Sequence, residues 1–340
     1  MSKSLLYQGS VKNIYQSEGT DSLWFEFTDD YSVFDWGKMP DPIKGKGSSL
    51  AELGEWFMSE LANPDRWKDL GLAAEPSFAS CIPTRHHLRG REGQQLEVQR
   101  VDVPELTPNT IGGSLVYDYA YKATPRQLLP LEVIFRFGVP AGSSLLKRKD
   151  WYAFDIYEGA EFEEPLIEFS TKLESKDRML SYQEAALILK GDAQLLERLH
   201  TATRAVAKFL QITFARRGLK LWDGKLEWAL VDGELTLVDS IGPDELRVSL
   251  GDAVFSKQFL RNFYLGSDWE KAVEEGKAIA KNRGSADWKG IVINELKQEP
   301  GKLSAPYLEA AEALYADFYA IVVKGETSTR FADALAKLPK

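Results

Sequence analysis

Two residue types that often mark catalysis or covalent bridging are scarce in this sequence. Its 340 residues include one cysteine, Cys81, and three histidines. A single cysteine excludes a disulfide within the chain, which fits a reducing compartment. The histidines, His86, His87 and His200, have neither the spacing of a metal site nor a Ser or Cys partner for nucleophilic catalysis. We therefore interpret all three as structural.

Long apolar runs are also missing. No stretch approaches the ~18 apolar residues of a membrane span, and the first ten residues lack the apolar segment of a signal peptide. The net charge of −9 argues against a nucleic-acid partner, because such a partner favours a basic face. We expect a cytoplasmic protein without membrane or nucleic-acid partners, and the composition leaves a homo-oligomer open.

What the sequence does contain is typical of a globular enzyme. Hydrophobic residues make up 44% and charged residues 27%, and the length suits two lobes. Residues 22–28 alternate apolar and polar side chains, which predicts a strand, and residues 192–217 have the apolar period of a helix. Strand signals dominate the first third of the chain and helix signals the last. This order predicts an α+β fold rather than a doubly wound sheet.

Two short segments could bind phosphate. Gly9 lies in a turn between two predicted strands and is followed by Lys12, so backbone N–H groups and one positive charge could meet phosphate oxygens. This segment is not a Walker P-loop, and taken alone it is more often an ordinary hairpin with a surface lysine. Arg136 ends a predicted strand and precedes a Gly-Ser turn at Ser143, which could bind phosphate or merely close the strand.

The segments at residues 223–228 and 239–247 are the most informative. Lys225 and Glu227 share one face of a strand because side chains alternate along it. Carboxylates from neighbouring strands, Glu227 and Asp239, could hold Mg²⁺ together with nucleotide phosphates, and a lysine beside them would stabilise transferring negative charge. A solvated face of alternating charge is the competing interpretation.

This magnesium hypothesis requires a particular hairpin register. A two-residue turn at Asp232-Gly233 would place Asp239 on the face opposite Glu227. A three-residue loop over residues 231–233 would instead set Glu227 opposite residue 237 and bring Asp239 to the same face. We therefore predict the three-residue loop, with a positive φ at Gly233.

Five segments, in the same order along the chain, resemble the motifs of the SAICAR synthetase family. Residues 6–15, LYQGSVKNIY, are similar to its LYxGKxKxxY motif, and Lys46-Gly47 matches a KG element. Residues 130–148 resemble a PxExxxRxxxxGSxxKR strand and turn. Residues 223–228 and 239–247 are similar to the DFKLEF and DExSPDxxR motifs. The shared order is more specific than any single motif.

The resemblance implies a two-lobed SAICAR synthetase-like fold with ATP in a cleft between the lobes. An N-terminal antiparallel β lobe for nucleotide binding would cover residues 1–104, and an inserted excursion residues 105–128. A larger α+β substrate and metal lobe with a helical C-terminus would cover residues 129–340. The implied reaction uses ATP and Mg²⁺ to phosphorylate the carboxylate of carboxyaminoimidazole ribotide, and L-aspartate then forms the amide SAICAR in purine biosynthesis.

The resemblance also assigns roles by position in the motifs. Asp223 and Lys225 would be catalytic, near the imidazole end of the ribotide, and Glu227 and Asp239 would be the metal ligands. Arg136, Ser143 and Arg247 would bind the ribotide phosphate, with Lys172 and Asp177 near the acceptor. The residues implied in ATP binding are Gly9, Lys12, Arg100, Val101, Asp102 and Glu227.

Several positions depart from the family pattern. Ser10 stands where the family has a lysine, Arg178 where it has a proline, Ser240 where it has a glutamate and Gly242 where it has a serine. These changes leave other functions open: a related ATP-dependent ligase with another carboxylate or amine, a kinase-like phosphotransferase, or a silent nucleotide-binding protein. The retained Lys225, Glu227 and Asp239 argue against the silent alternative.

Overall fold

The computed structural model describes residues 3–111 and 114–338. Its strands form antiparallel sheets, and helices fill most of the last third of the chain. The strands are β1 (Lys3–Gln8), β2 (Lys12–Ser17), β3 (Ser22–Phe27), β4 (Leu88–Glu92), β5 (Gln95–Gln99), β6 (Thr107–Ile111), β7 (Ser114–Asp118), β8 (Arg126–Gly138), β9 (Glu161–Thr171), β10 (Met179–Leu180), β11 (Lys220–Val231), β12 (Glu234–Val238), β13 (Leu246–Leu250) and β14 (Ala253–Phe255).

Helices of very different length accompany the sheets. Across the described residues, none is both long enough and apolar enough to cross a bilayer. Short 3₁₀ helices occur at Leu72–Ala74, Pro76–Phe78 and Ser144–Trp151, and a π-helical turn at Ala320–Lys324. The α-helices are α1 (Lys46–Ala62), α2 (Pro64–Asp69), α3 (Tyr182–Ile188), α4 (Ala193–Ala215), α5 (Gln258–Tyr264), α6 (Asp268–Arg283), α7 (Trp288–Asn294), α8 (Ala305–Tyr319) and α9 (Arg330–Leu335).

The chain divides into two units that are each assembled from separate stretches. The first comprises Met1–Leu53, Gly90–Glu97 and Phe255–Lys340, and the second comprises Gly54–Arg89 and Val98–Val254. The C-terminal helices therefore group with the N-terminal strands. The functional lobes predicted from the sequence, with boundaries near residues 104 and 128, stay a prediction.

The first unit contains a five-stranded antiparallel sheet in the order β1-β2-β3-β5-β4. Its helical part has an aromatic core in which Phe255 lies 5.7 Å from Phe318 and 5.0 Å from Phe331, measured between ring centroids. The hydroxyl groups of Tyr31 and Tyr264 are 2.6 Å apart, which ties the segment after β3 to α5. Burial of these large rings stabilises the unit without any covalent bridge.

The second unit is built on a sheet in the order β10-β9-β8-β11-β13-β14, with β12 paired to the outer part of β11. Helix α4 packs against β8, β9 and β11. The side chain of Asp192 accepts a hydrogen bond from the Leu195 backbone at 2.8 Å, so the helix begins where its sequence predicts. The mixture of helices with antiparallel sheets confirms the predicted α+β class.

The segment predicted as an inserted excursion, residues 105–128, contains two paired strands, and its role as an insertion stays a prediction. Strands β6 and β7 pair with each other in a separate two-stranded sheet. Ile111, Leu115 and Val116 on this hairpin are exposed. Because every residue of β6 is exposed, this strand lacks the apolar alternation that marks strands β3 and β5.

Candidate active site

Strands β11 and β12 are joined by a two-residue turn. Val231 pairs with Glu234, and both central residues, Asp232 and Gly233, have positive φ, at 52° and 85°. Such a turn is of the tight kind that suits the twist of a hairpin, and aspartate followed by glycine tolerates both left-handed positions. The positive φ at Gly233 is as predicted, but the three-residue loop over residues 231–233 is wrong.

The consequence of this turn is that Glu227 pairs with Val238 rather than with residue 237. Strand alternation alone would send the Asp239 side chain to the opposite face. Asp239 lies just beyond β12, however, and has a φ of 65°. This left-handed backbone, which costs a residue other than glycine about 1–3 kcal/mol, ends the alternation. The two carboxylates interact through this reversal and not through strand parity.

Electrostatics show that the two groups are close. Burial raises the pKa of the Glu227 carboxyl above its ordinary value, and the negative charge of Asp239 raises it further. The attraction of Lys172 and Lys225 opposes the rise but does not cancel it. Glu227 therefore lies where an additional positive charge would relieve two crowded carboxylates.

Two lysines and a second glutamate complete what we call the carboxylate cluster: Glu132, Lys172, Lys225, Glu227 and Asp239. Lys172 Nζ lies 2.5 Å from Glu227 Oε1 and 3.9 Å from Glu132 Oε1, and Lys225 Nζ donates to Glu132 Oε1 at 2.7 Å. Glu132 and Glu227 are direct cross-strand partners on β8 and β11. Burial lowers the pKa of Lys225, but Glu132 and Glu227 outweigh it and the net shift is upward. Lys225 is thus a fixed positive charge rather than a base.

The same strand carries a second charged group nearer its start. Asp223 pairs with Arg136 of β8 on one side and with Arg247 of β13 on the other. Arg136 Nη1 donates to Asp223 Oδ2 at 3.0 Å, and Arg247 Nε donates to Asp223 Oδ1 at 2.8 Å, with a further contact from Arg247 Nη2. One aspartate therefore orients two guanidinium groups in a row across three strands.

Glu168 of β9 supports this row from the other side. It accepts hydrogen bonds from Arg136 Nε at 2.5 Å, Arg148 Nη2 at 2.8 Å and the Tyr152 hydroxyl at 2.6 Å. Burial raises the pKa of the Glu168 carboxyl, but Arg136 and these hydrogen bonds lower it more. The arginine cluster is therefore Arg136, Arg148, Glu168, Asp223 and Arg247.

Ser143 and Asp177, both predicted to bind substrate, are not members of the two charged clusters. Ser144 Oγ accepts from Arg136 Nη2 at 3.4 Å, whereas Ser143 caps the 3₁₀ helix that follows and its Oγ accepts from the Leu145 backbone. Ser143 thus adjoins the arginine cluster, and its neighbour makes the contact. Asp177 lies between β9 and β10, away from regular structure.

Two of the predicted nucleotide-binding residues belong to the first unit. The Gly9 backbone N–H donates to the Lys12 carbonyl at 3.1 Å across the turn between β1 and β2. A Cβ at Gly9 would lie 2.5 Å from that carbonyl oxygen, so this turn requires glycine. Lys12 Nζ lies 4.4 Å from the ring centroid of Phe25.

Besides Glu227, the other predicted nucleotide-binding residues, Arg100, Val101 and Asp102, lie in the second unit, beside the start of β8. The Asp102 N–H donates to the Arg126 carbonyl at 2.6 Å, and the Leu128 N–H donates to the Asp102 carbonyl at 2.9 Å. Val101 packs on the apolar cluster that contains Leu128. Arg100 is exposed. Backbone hydrogen bonds therefore fix the position of this segment, and few of its side chains are placed to select a nucleotide.

The family model for SAICAR synthetase matches residues 5–276, most of the chain. The chain belongs to the SAICAR synthetase family. The recognition made from the five motifs is confirmed, and so is the family's α+β fold.

Relatives and solved structures agree with this membership. A protein of Archaeoglobus fulgidus with a provisional phosphoribosylaminoimidazole-succinocarboxamide synthase name is 33% identical over 79% of each chain. The Saccharomyces cerevisiae SAICAR synthase complexed with SAICAR has a TM-score of 0.58 at 21% identity and covers 96% of each chain. A SAICAR synthetase in complex with ADP has a TM-score of 0.55 at 24% identity, with 87% of this chain and 99% of that one covered. The two structural likenesses show the shared fold.

Sequence reasoning singled out residues that the structure brings together in two charged clusters, but it did not single out several of their neighbours. Glu132, Glu168 and Ser144 were not among the predicted site residues, although each contacts one of them. Arg148 and Tyr152 were not predicted either, and both contact Glu168. Acidic residues within otherwise apolar strands were a usable signal, because a buried charge needs a partner. The partners themselves depend on strand register, which the sequence does not contain.

Proposed function

We propose that this protein is an ATP- and magnesium-dependent ligase that joins L-aspartate to the carboxylate of carboxyaminoimidazole ribotide. Membership of the SAICAR synthetase family supports this reaction, and relatives of the same fold are complexed with ADP and with SAICAR. The observation that carries the proposal is that one strand, β11, contributes to both charged clusters: Asp223 belongs to the arginine cluster, and Lys225 and Glu227 belong to the carboxylate cluster. One cluster suits a metal–phosphate group and the other suits a ribotide phosphate.

Magnesium fits the carboxylate cluster by the chemistry of its donors. Among residues 3–111 and 114–338, no group of three or more His, Cys, Asp or Glu forms a complete metal site. Mg²⁺ commonly takes one or two carboxylates and fills its remaining positions with nucleotide phosphates and water. Glu227 and Asp239 would hold it, and their mutual repulsion favours a cation between them. Held there, the ion would supply positive charge that neutralises the transferring phosphoryl group.

The proposed chemistry balances without a nucleophilic side chain. An oxygen of the ribotide carboxylate attacks the γ-phosphorus of ATP, and the bond to the bridging oxygen of ADP breaks. The amine nitrogen of L-aspartate then attacks the acyl carbon, phosphate leaves, and the nitrogen loses a proton. Lys225 remains protonated throughout, because its carboxylate neighbours hold its pKa high, and it stabilises the negative charge at the reacting carboxylate.

The arginine cluster would bind the ribotide phosphate. Arg136 and Arg247 are fixed in orientation by Asp223, so a phosphate would meet guanidinium groups whose conformations are already set. The open cavity of about 680 Å³ at residues 149–157 adjoins this cluster through Tyr152 and offers a route for entry. Lys172, Asp177 and the nucleotide-binding residues keep the roles that the family motifs imply. A cytoplasmic location and a homo-oligomer stay predictions.

The deciding experiment measures ADP and product together. Protein, ATP and magnesium are incubated with the ribotide and a panel of amino acids, and the product mass is determined. We expect ADP release only when ribotide and L-aspartate are both present. Release without an amine, with a stable phosphorylated ribotide, would identify a phosphotransferase. Turnover with another amine but none with L-aspartate would identify a related ligase.

A matched pair of variants ties the reaction to this site. Lys225→Gln should lower kcat by about 100-fold or more, because it removes a charge aimed at the reacting group. Lys220→Gln lies on the same strand and removes an exposed lysine paired with Glu161. It should retain normal turnover, and equal losses in both variants would contradict the assignment.

A further inference from the structure

The backbone carbonyl of Asp239 is hydrogen-bonded to a buried histidine. His87 is 3% exposed, and its Nε2 lies 3.0 Å from the Asp239 backbone carbonyl oxygen. The ring nitrogen donates this hydrogen bond, since a carbonyl can only accept. The contact therefore fixes the protonated ring nitrogen and the orientation of the Asp239 peptide together.

The backbone around His87 is itself anchored to the hairpin. The His87 N–H donates to the Leu237 carbonyl at 3.1 Å, and the Leu237 N–H donates to the Arg85 carbonyl at 2.8 Å. On its other side, the Gln99 N–H donates to the His87 carbonyl at 2.7 Å. The imidazole thus projects from a segment that is bonded in register with β12, two residues before Asp239.

Asp239 needs such support because its conformation is unfavourable and decisive. The hairpin register alone would send its carboxylate to the face opposite Glu227, yet the two carboxylates interact, and the φ of 65° is where the backbone departs from strand geometry. A hydrogen bond to the carbonyl of a residue restrains its ψ, and the left-handed state is lost if that peptide rotates.

We propose that His87 is a positioning residue for the metal site, acting through the Asp239 carbonyl. It holds Asp239 left-handed so that Glu227 and Asp239 present a preformed carboxylate pair to magnesium and the nucleotide phosphates. This inference rests on the proposed function, because it assumes that the pair binds the metal. It assigns His87 no contact with substrate and no proton transfer.

Two pairs of variants test the inference. His87→Gln keeps an N–H donor near the position of Nε2, whereas His87→Asn carries the same amide one methylene shorter and does not reach the carbonyl. His87→Leu removes the donor altogether. His200→Leu is the control, because it removes a histidine of the same unit whose ring contacts Tyr182.

The readout is ADP affinity by calorimetry, with magnesium and with a chelator. The ratio of the two affinities isolates the contribution of the metal. We expect His87→Asn and His87→Leu to reduce this ratio about tenfold, the usual scale for residues that orient a metal ligand. His87→Gln should restore most of it, and His200→Leu should leave it unchanged. Chemical denaturation of each variant checks that the fold persists.

Asp239→Asn separates the two possible failures. If wild type shows no magnesium-dependent gain, or Asp239→Asn does not reduce it, the metal assignment in the proposed function is wrong and the positioning role falls with it. If Asp239→Asn abolishes the gain while His87→Asn and His87→Leu keep it, only the positioning role is wrong. Adding His87→Leu to Asp239→Asn should have no further effect on the ratio, and a further loss would show that His87 acts elsewhere.

Discussion

The carboxylate cluster and the arginine cluster share strands β8 and β11 of one sheet but differ in the sign of their charge. The first has three carboxylates and two lysines, and the second has three arginines and two carboxylates. One is left with a negative charge and the other with a positive charge. The comparison teaches that a single strand, β11, can prepare one end of a site for a cation and the other for an anion.

The largest expected effect comes from the carboxylate cluster. Glu227→Gln and Asp239→Asn should each lower kcat by about 100-fold or more, because each removes a charge that holds magnesium at the transferring phosphoryl group. A titration of turnover against magnesium, with circular dichroism as a control for folding, is the measurement. Near-normal activity in both variants at every magnesium concentration would rule out the metal assignment.

Glu168→Gln, a change within the arginine cluster, should mainly lower the free energy of unfolding. It leaves Arg136 and Arg148 without a buried counter-charge, which should cost about 3 kcal/mol at neutral pH. Because the folded pKa of Glu168 is lowered, its charge stabilises the fold above the ordinary pKa of 4.5, and the benefit is lost as the pH falls through the folded value. Urea unfolding of variant and wild type should therefore converge in acid. A difference that does not depend on pH would contradict the charge argument.

Arg247→Lys should weaken binding at the arginine cluster while leaving binding at the carboxylate cluster almost unchanged. Lysine keeps the positive charge but loses the paired N–H groups that Asp223 orients. We expect KM for the ribotide to rise about tenfold while KM for ATP stays within twofold, since only one end of the site has lost geometry. Equal changes in both constants would mean that Arg247 serves the whole fold or the nucleotide.

The contrast between the clusters also shows what a sequence can and cannot predict. Helix α4 was predicted almost to its ends because its apolar period is long and Asp192 caps it. The pairing of Asp223 with two arginines required the register of three strands. The register of the β11–β12 hairpin depended on whether Asp232 adopts a positive φ, and the sequence was compatible with both a two-residue and a three-residue turn.

Asp239 is the clearest case of information that lies outside the sequence pattern. Aspartate tolerates a left-handed φ better than most residues, but its presence alone does not predict one, because the conformation still costs free energy that surrounding contacts must offset. The contact with His87 comes from a segment more than a hundred positions earlier in the chain. Local propensity predicts the strands that carry a site, whereas the reversal that assembles this one depends on tertiary structure.

The smallest expected effect has the opposite sign to that of Glu168→Gln and tests why the two clusters differ. The folded pKa of Glu227 is raised, by burial and by Asp239, so the metal-free fold favours its neutral form. Ionisation of Glu227 therefore destabilises the fold above its ordinary pKa of 4.5, and this penalty disappears in acid.

Glu227→Gln removes the penalty and should stabilise the magnesium-free protein at neutral pH by roughly 1 kcal/mol, the usual size of a single substitution. Urea unfolding in chelator would show the gain at pH 7 and its loss near pH 4, although the same variant has lost turnover. Destabilisation at neutral pH would mean that the contact with Lys172 outweighs burial and that the carboxylate pair is not poised for a cation.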